Sequence, residues 1–183
     1  MKPSRFITNL TLSLTLALLT ATNVLAKGPK GPTVVDVAIE VNSSGTFAGA
    51  FDTLIAAVSC SGQEAVLEYL SGNGQRTVFA PTDDAFAALG LDENNVCGAL
   101  DSMTLSDILQ YHVAKGRRTA DLVVSSDKIR MLFGGFLDVY VNANVKLIDN
   151  LGREAMVIAT DVEAANGVIH AIDAVVLPYD PNA

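Results

Sequence analysis

The sequence predicts one α+β domain, with helices in its first part and strands in its second. Apolar residues recur at helical spacing between Phe47 and Val58, whereas short apolar segments separated by glycine-containing turns follow Val113. Half of the 183 residues are hydrophobic and only 17% are charged, so the composition argues against disorder and provides enough apolar side chains for a full core.

Residues 1–26 have the pattern of a signal peptide. Lys2 and Arg5 give it a positive start, residues 10–19 form an apolar run, and Val24-Leu25-Ala26 places small residues at the cleavage position. The run is short for a membrane span, and an uncleaved anchor is the alternative interpretation. We expect a secreted chain, extracellular or periplasmic, with no membrane insertion after signal cleavage.

The mature chain has the size of a single domain, because removing 26 of 183 residues leaves 157. We predict a flexible lead-in at 27–32, one domain at 33–178 and a C-terminal tail at 179–183. Loss of Lys2 and Arg5 leaves 10 Lys and Arg against 20 Asp and Glu, a net charge of −10. This balance argues against nucleic-acid binding, which needs a basic surface.

Two amphipathic helices are predicted in the first part. Apolar side chains at i, i+4, i+7, i+8 and i+11 define the first helix, namely Phe47, Phe51, Leu54, Ile55 and Val58. Residues 63–70 repeat the pattern more weakly, and Gly72-Asn73-Gly74 then turns the chain. Before the first helix, Asn42-Ser43-Ser44 matches the glycosylation acceptor pattern.

A strand, a proline corner and a short helix follow. Thr77-Val78-Phe79 favours a strand, and Pro81 ends it because proline cannot donate to a ladder. Thr82 is predicted to cap the helix, and Asp83-Asp84 places negative charge in its first turn. We expect Phe86 and Leu89 to form the apolar face of this helix and Gly90 to end it.

A further helix is predicted near residue 104. Thr104-Leu105-Ser106-Asp107 has the form of a capping box. The apolar positions that follow share one face, namely Leu105, Ile108, Leu109 and His112.

The second part of the chain is predicted to be strands. Residues 128–133 and 136–141 flank Gly134-Gly135 as a hairpin, and a second hairpin turns through Asn150-Leu151-Gly152. The last strand, at 167–177, is expected to alternate apolar and polar positions before Pro178.

Three segments resemble the signature motifs of the fasciclin (FAS1) domain family. The first motif, T-V-F-A-P-T-[DN]-x-A-F, matches residues 77–86, and Tyr111-His112-Val113 and residues 167–178 follow in the family's order. The resemblance covers 32–178 and implies a FAS1 fold, a β-sandwich wedge with helices packed along one edge. The motif positions that we expect to be mainly structural are Thr77, Phe79, Ala80, Pro81, Thr82, Asp83, Phe86, Tyr111, His112, Gly167, Val168, Ile169, His170 and Asp173.

Few residues of the sequence could support catalysis. His112 and His170 are the two histidines, each lies among apolar residues, and we expect both to be buried and structural. The sequence has no G-x-S-x-G elbow, P-loop or G-x-G-x-x-G motif, and two distant cysteines do not give zinc spacing. We predict a non-enzymatic protein without a cofactor or metal.

Cys60 and Cys97 are the two cysteines of the sequence. In an oxidising compartment the two cysteines either form a disulfide or remain free thiols, and we predict the disulfide. The family pattern does not generally contain this pair, so the bridge would be a local addition.

Two segments are candidates for an interaction surface. In animal family members the region that corresponds to Asp107-Ile108 and Tyr111-His112 has been linked to integrin contact, although the pattern favours Ile108 and His112 as core residues. At the predicted hairpin, Phe133 and Phe136 either fold back onto the sheet or form an exposed apolar tip.

The resemblance implies cell adhesion, through an extracellular protein or a matrix or surface component. The alternative function is the carriage of an apolar small molecule such as a carotenoid, which some family members bind.

Overall fold

The computed structural model describes residues 28–181, so the predicted signal peptide lies outside the described residues. Within them the chain forms seven helices: α1 (Val34–Ser43), α2 (Asp52–Ser59), α3 (Glu64–Ser71), α4 (Asp83–Ala87), α5 (Val96–Ala99), α6 (Ser102–Tyr111) and α7 (Ala120–Val124). Its seven strands are β1 (Arg76–Pro81), β2 (Val113–Lys115), β3 (Lys128–Arg130), β4 (Phe136–Val141), β5 (Val145–Ile148), β6 (Glu154–Ala164) and β7 (Gly167–Ile172). In this part of the chain, no helix has the length and apolar character to cross a membrane.

The seven strands form one sheet in the order β2-β1-β7-β6-β5-β4-β3. Neighbouring strands are antiparallel except β1 and β7, which run parallel. An isolated bridge between Ala114 and Met131 joins the two ends of the sheet, and the Leu132 N–H donates to the Val113 carbonyl at 2.6 Å. The sheet therefore curls almost into a barrel, and the predicted α+β FAS1 fold is confirmed.

The sheet separates two apolar cores. One lies inside the curled sheet and is built around buried side chains of β1, β3, β4, β5 and β7, among them Phe79, Ile129, Leu137, Leu147 and Ile172. The other lies between the sheet and the helices, where α1 packs against β6 and β7, α4 against β1 and α6 against β2, and α2 and α3 pack against the other helices.

Strand β7 is buried along its whole length. All six residues are buried, so the expected alternation of apolar and polar positions is wrong. The reason is that β7 is paired on both edges, with the helices over one face and the inner core over the other, as in parallel sheets. At Gly167 a Cβ would lie 2.4 Å from the Arg76 carbonyl oxygen, which excludes any larger residue.

The corner after β1 stabilises a neighbouring helix. Thr82 is the N-cap residue of α4, but its side chain makes no capping hydrogen bond. Instead, the Asp83 carboxylate accepts the N–H groups of Asp52 (3.2 Å) and Thr53 (2.9 Å) at the start of α2, whose own N-cap residue, Phe51, cannot cap. The predicted acidic cap therefore serves the helix across the corner.

Two details of the helix predictions are wrong. Helix α4 ends at Ala87, so Leu89 lies beyond it and is 43% exposed. The predicted capping box at Thr104 is not formed, because α6 begins earlier. Its cap is Asp101, whose carboxylate accepts the N–H groups of Met103 and Thr104, both at 3.0 Å.

The two predicted hairpins are confirmed, with one shorter strand than expected. Strand β3 ends at Arg130, and the connection to β4 contains five residues, 131–135, rather than the Gly134-Gly135 pair alone. Both glycines have positive φ angles, 115° and 71°. Strands β5 and β6 pair as predicted.

Arg76 is a buried cation that ends α3. Its guanidinium donates to the carbonyls of Leu70 (2.6 Å), Gly72 (3.0 Å) and Asn73 (2.7 Å) and lies over the Tyr69 ring at 4.8 Å. The side chain thus satisfies helix C-terminal carbonyls, and its charge does not reach the surface.

Candidate interaction surface

His112 and His170 are both buried, and each uses both ring nitrogens. The Nδ1–H of His112 donates to the Ile108 carbonyl (2.8 Å), and its Nε2 accepts the Val176 N–H (3.2 Å). In His170 the Nε2–H donates to the Arg118 carbonyl (2.7 Å), and Nδ1 accepts the Asp161 N–H (3.3 Å). These contacts hold helix, loop and strand backbones together and support a structural role for both rings.

Burial of His112 predicts a pH-dependent stability. Desolvation lowers its pKa from 6.5 to about 4, so the folded state holds the neutral ring while the unfolded chain binds a proton below pH 6.5. Its stabilising contribution is therefore complete above pH 6.5 and is lost as the pH falls towards 4. We expect about 3 kcal/mol less unfolding free energy near pH 4 than near pH 7.5 from this residue.

Denaturant melts of wild type and His112→Gln across pH 4–7.5 measure this effect. The variant should be less stable at neutral pH but should lack the part of the pH slope that His112 contributes. Hydrogen bonds lower the pKa values of Asp36, Glu64 and Asp101, so the stability that these acids contribute is complete above their ordinary pKa and is lost at lower pH, equally in both proteins. Parallel slopes in the two proteins would contradict the assignment.

The other motif residues support the sheet. The Thr77 hydroxyl donates to the Gly116 carbonyl and accepts the Arg118 N–H, both at 2.8 Å. The Tyr111 hydroxyl donates to the Phe136 carbonyl at 2.6 Å, and burial raises its pKa to about 12. Asp173 accepts the Met156 N–H at 2.6 Å. Each contact joins strands or turns, as a structural role requires.

The disulfide joins Cys60, at the end of α2, to Cys97 in α5, with a Cα–Cα distance of 5.5 Å. The predicted pairing is confirmed. It fixes the loop that contains α5 against the helical layer, beside the surface described below.

Tyr179 brings two predicted surface positions together. Its hydroxyl donates to the Asp107 carboxylate (2.7 Å), and its ring lies 6.0 Å from the Phe133 ring. The sequence places residue 179 in the predicted tail outside the domain, and no sequence pattern indicates its contacts with Asp107 and Phe133. Ile108, in contrast, is buried in the helical core, so of its two interpretations the core residue, and not the surface position, describes it.

The hairpin between β3 and β4 presents an apolar tip. Phe133 is 38% exposed and Phe136 46% exposed, so neither ring folds fully onto the sheet. Phe133 is partly covered by Tyr179, and Phe136 projects from the start of β4. Of the two interpretations given above, the exposed tip describes this hairpin.

A groove of about 490 Å³ opens beside this tip. Its walls come from the segment after α4, from α5, from the first turns of α6, from the turn between β5 and β6, and from the C-terminal residues. Exposed or half-buried apolar side chains line it, including Leu89, Leu91, Leu100 and Leu151. No pattern in the sequence indicates this groove, because its walls are distant in the chain.

The groove and the hairpin tip share the turn between β5 and β6. The Asn150 amide donates to the Pro178 carbonyl (3.1 Å), and a Cβ on Gly135 would lie 2.7 Å from the Asn150 Nδ2. The next residue, Leu151, is 45% exposed and lines the groove. We refer to the groove together with Phe133, Phe136, Leu89 and Leu151 as the apolar end.

Asp149 holds this turn in place. Its carboxylate accepts the N–H groups of Leu151 (2.9 Å), Arg153 (2.9 Å) and Leu177 (3.0 Å). It also pairs with the Arg153 guanidinium through Nε (2.9 Å) and Nη2 (2.8 Å). Neither member of this pair stands out in the amino-acid sequence.

A second cavity lies between helices α1, α2, α3 and the sheet. Its volume is about 80 Å³ and its lining is almost entirely apolar, with His112 at its inner end. This is well below the roughly 300–1,000 Å³ of ordinary small-molecule sites. Among residues 28–181 no group of three or more His, Cys, Asp or Glu side chains is arranged to hold a metal ion.

The fold has a solved counterpart in a FAS1 domain pair from the insect cell adhesion molecule Fasciclin I. The TM-score is 0.56 at 23% identity, over 70% of this chain and 45% of that one. This likeness defines the fold as a FAS1 fold.

Sequence comparisons extend the likeness to the family. The fasciclin domain model matches residues 49–178. Protein sll1483 of Synechocystis sp. is 42% identical over 136 residues, which cover 70% of this chain and 67% of that protein. Transforming growth factor-beta-induced protein ig-h3 of Sus scrofa is 34% identical over 70% of this chain, which spans only 18% of that protein's length. The chain belongs to the fasciclin domain family.

Proposed function

We propose that this chain is a secreted fasciclin domain that mediates adhesion by contacting an extracellular protein or a matrix or surface component. The observation that supports this function most is the apolar end, where four large apolar side chains stay exposed beside a groove. Apolar surface of this kind marks contact sites in soluble proteins. The solved relative with this fold is named a cell adhesion molecule, which is consistent with the proposal.

The proposal includes the absence of catalysis and of a cofactor. A hydrolytic site would need an accessible base, and both histidines have their nitrogens in backbone hydrogen bonds. The predicted signal peptide would deliver the domain to the outside of the cell, where its disulfide would be stable.

Removing the hairpin rings should weaken adhesion. The double variant Phe133→Ser and Phe136→Ser deletes two rings that a partner would bury, and each such ring contributes about 1.5–3 kcal/mol in an interface. We expect at least a roughly tenfold loss of retained material when the immobilised chain is exposed to a surface extract of the source organism.

The matched control is Tyr140→Ser with Ile158→Ser. These side chains are 63% and 45% exposed and lie on strands β4 and β6, away from the hairpin tip. The control should retain material like wild type. Wild type that retains no surface component under varied salt and pH would count decisively against adhesion.

The carriage of an apolar small molecule is the second candidate. The groove favours it, because about 490 Å³ lies within the range of ligand sites and most of its lining is apolar. Solvent extraction of the chain purified from its native source, followed by mass spectrometry, separates the two functions. One apolar compound at near-stoichiometric yield would support carriage, and extracts without such a compound would contradict it.

A further inference from the structure

We propose that the groove of the apolar end binds a basic, amphipathic segment of a protein partner. This inference rests on the proposed adhesive function and identifies the chemistry of the partner that the same surface would recognise.

Charge is distributed unevenly between the two halves of the chain. Residues 33–111 contain eleven Asp and Glu but a single Lys or Arg, which is Arg76. Because Arg76 is buried against backbone carbonyls and Tyr69, the surface of this half presents acids without cations. Residues 112–181 contain nine Asp and Glu and seven Lys and Arg, so their charges nearly balance.

Most of the groove belongs to the acidic half of the chain. Leu91 and Leu100 line it, and the exposed acids Asp92, Glu93 and Asp101 follow them directly in the chain. These acids therefore lie at the rim where the apolar lining ends. An apolar surface bordered by negative charge attracts cations to its edge while it buries apolar groups at its centre.

The one cation in the lining does not reverse this field. Arg153 contacts the Asp149 carboxylate through two nitrogens, and Nη2 also donates to the Val175 carbonyl at 2.9 Å. Its charge is thus offset by a buried partner. A free carboxylate or an anionic lipid would face the rim acids, whereas a lysine-rich segment would pair with them.

The groove offers several separate apolar contacts to a partner. The lining includes Leu89, Leu105, Leu177 and Pro181, which come from three separate segments of the chain. Several apolar positions arranged along a groove suit an amphipathic helix that inserts one face and leaves its other face towards the rim. The basic residues of such a helix would then face the acids.

The test uses synthetic peptides of about 14 residues, roughly four helical turns, and the purified chain. One peptide combines leucine on one face with lysine on the other, and its matched partner carries glutamate in place of lysine. By fluorescence anisotropy, the lysine peptide should bind at least about tenfold more tightly, and its affinity should fall as salt screens the rim charges.

Two pairs of variants locate the site. Leu89→Ser with Leu151→Ser should weaken binding of the lysine peptide about tenfold, whereas Leu122→Ser with Ile158→Ser, equally exposed elsewhere, should not change it. Asp92→Asn with Glu93→Gln should weaken binding several-fold and remove part of the salt dependence. Asp127→Asn with Glu163→Gln is the matched charge control. All these side chains are exposed, and thermal melts verify that each variant is folded.

Equal affinity for the two peptides, or binding of the lysine peptide that persists in the Leu89 and Leu151 variant, would overturn the proposal. An uncharged apolar probe that displaces the lysine peptide and binds more tightly than the peptide would also overturn the proposal. The adhesion assay with the Phe133 and Phe136 variant is independent. A chain that retains surface material but ignores the lysine peptide disproves only this inference, and the reverse result disproves only adhesion.

Discussion

Replacing Asp149 with alanine should lower the free energy of unfolding by about 4 kcal/mol, because it removes a buried carboxylate together with the hydrogen bonds that this carboxylate accepts. The variant leaves the N–H groups of Leu151, Arg153 and Leu177 without their acceptor and the Arg153 guanidinium without its counter-charge. Because the side chain is almost fully buried, water cannot replace these bonds at low cost.

Urea or guanidinium melts at neutral pH measure this loss. Glu154→Ala is the matched control, because it also removes one carboxylate from an ion pair, that with Lys146, but a pair exposed to solvent. The control should change stability by less than about 0.5 kcal/mol. Similar losses in the two variants would show that Asp149 does not organise the turn.

Removing the disulfide should have an effect of comparable size. The bridge closes a loop with a sequence separation of 37 residues, and loop-closure entropy assigns it about 4 kcal/mol of stabilisation. The double variant Cys60→Ala and Cys97→Ala should unfold at correspondingly lower denaturant concentration than the oxidised wild type.

A reducing agent provides the control for this comparison. It should shift the melt of wild type towards that of the double variant and leave the double variant unchanged. Thiol titration of the unfolded, unreduced wild type should find no free sulfhydryl groups. Two free thiols per chain, or a double variant as stable as wild type, would contradict the prediction.

The parts of the fold that depend on local sequence could be predicted. The strand and proline corner at Thr77–Pro81 and the hairpins follow from residue types that act over short distances, and the disulfide follows from the compartment that the signal-peptide pattern predicts. Thr104 was mistaken for a cap because both Thr104 and Asp101 suit that position, and only the path of the chain before α6 decides between them. The burial of β7 was missed because alternation cannot reveal a strand that is covered on both faces.

Contacts between distant segments could not be predicted from the residues. Arg76 and Asp149 look like ordinary surface charges in the sequence, and their partners are assembled only by the folded backbone. The candidate surface shows the same division. The sequence indicated Phe133, Phe136 and Asp107, but Tyr179, which joins Phe133 to Asp107, and the groove beside them depend on tertiary packing.

The position of β7 has a consequence for the order in which the domain can be made. Among residues 28–181, β7 is the last strand in chain order but an interior strand of the sheet, where it lies between β1 and β6. A nascent polypeptide that ends before Gly167 holds two sheet fragments, β2-β1 and β6-β5-β4-β3, which lack the strand that joins β1 to β6 and meet only at the bridge between Ala114 and Met131. Cooperative folding must therefore wait for the synthesis of β7, and its slow step is expected to be the insertion of a segment that pairs with residues about ninety positions earlier.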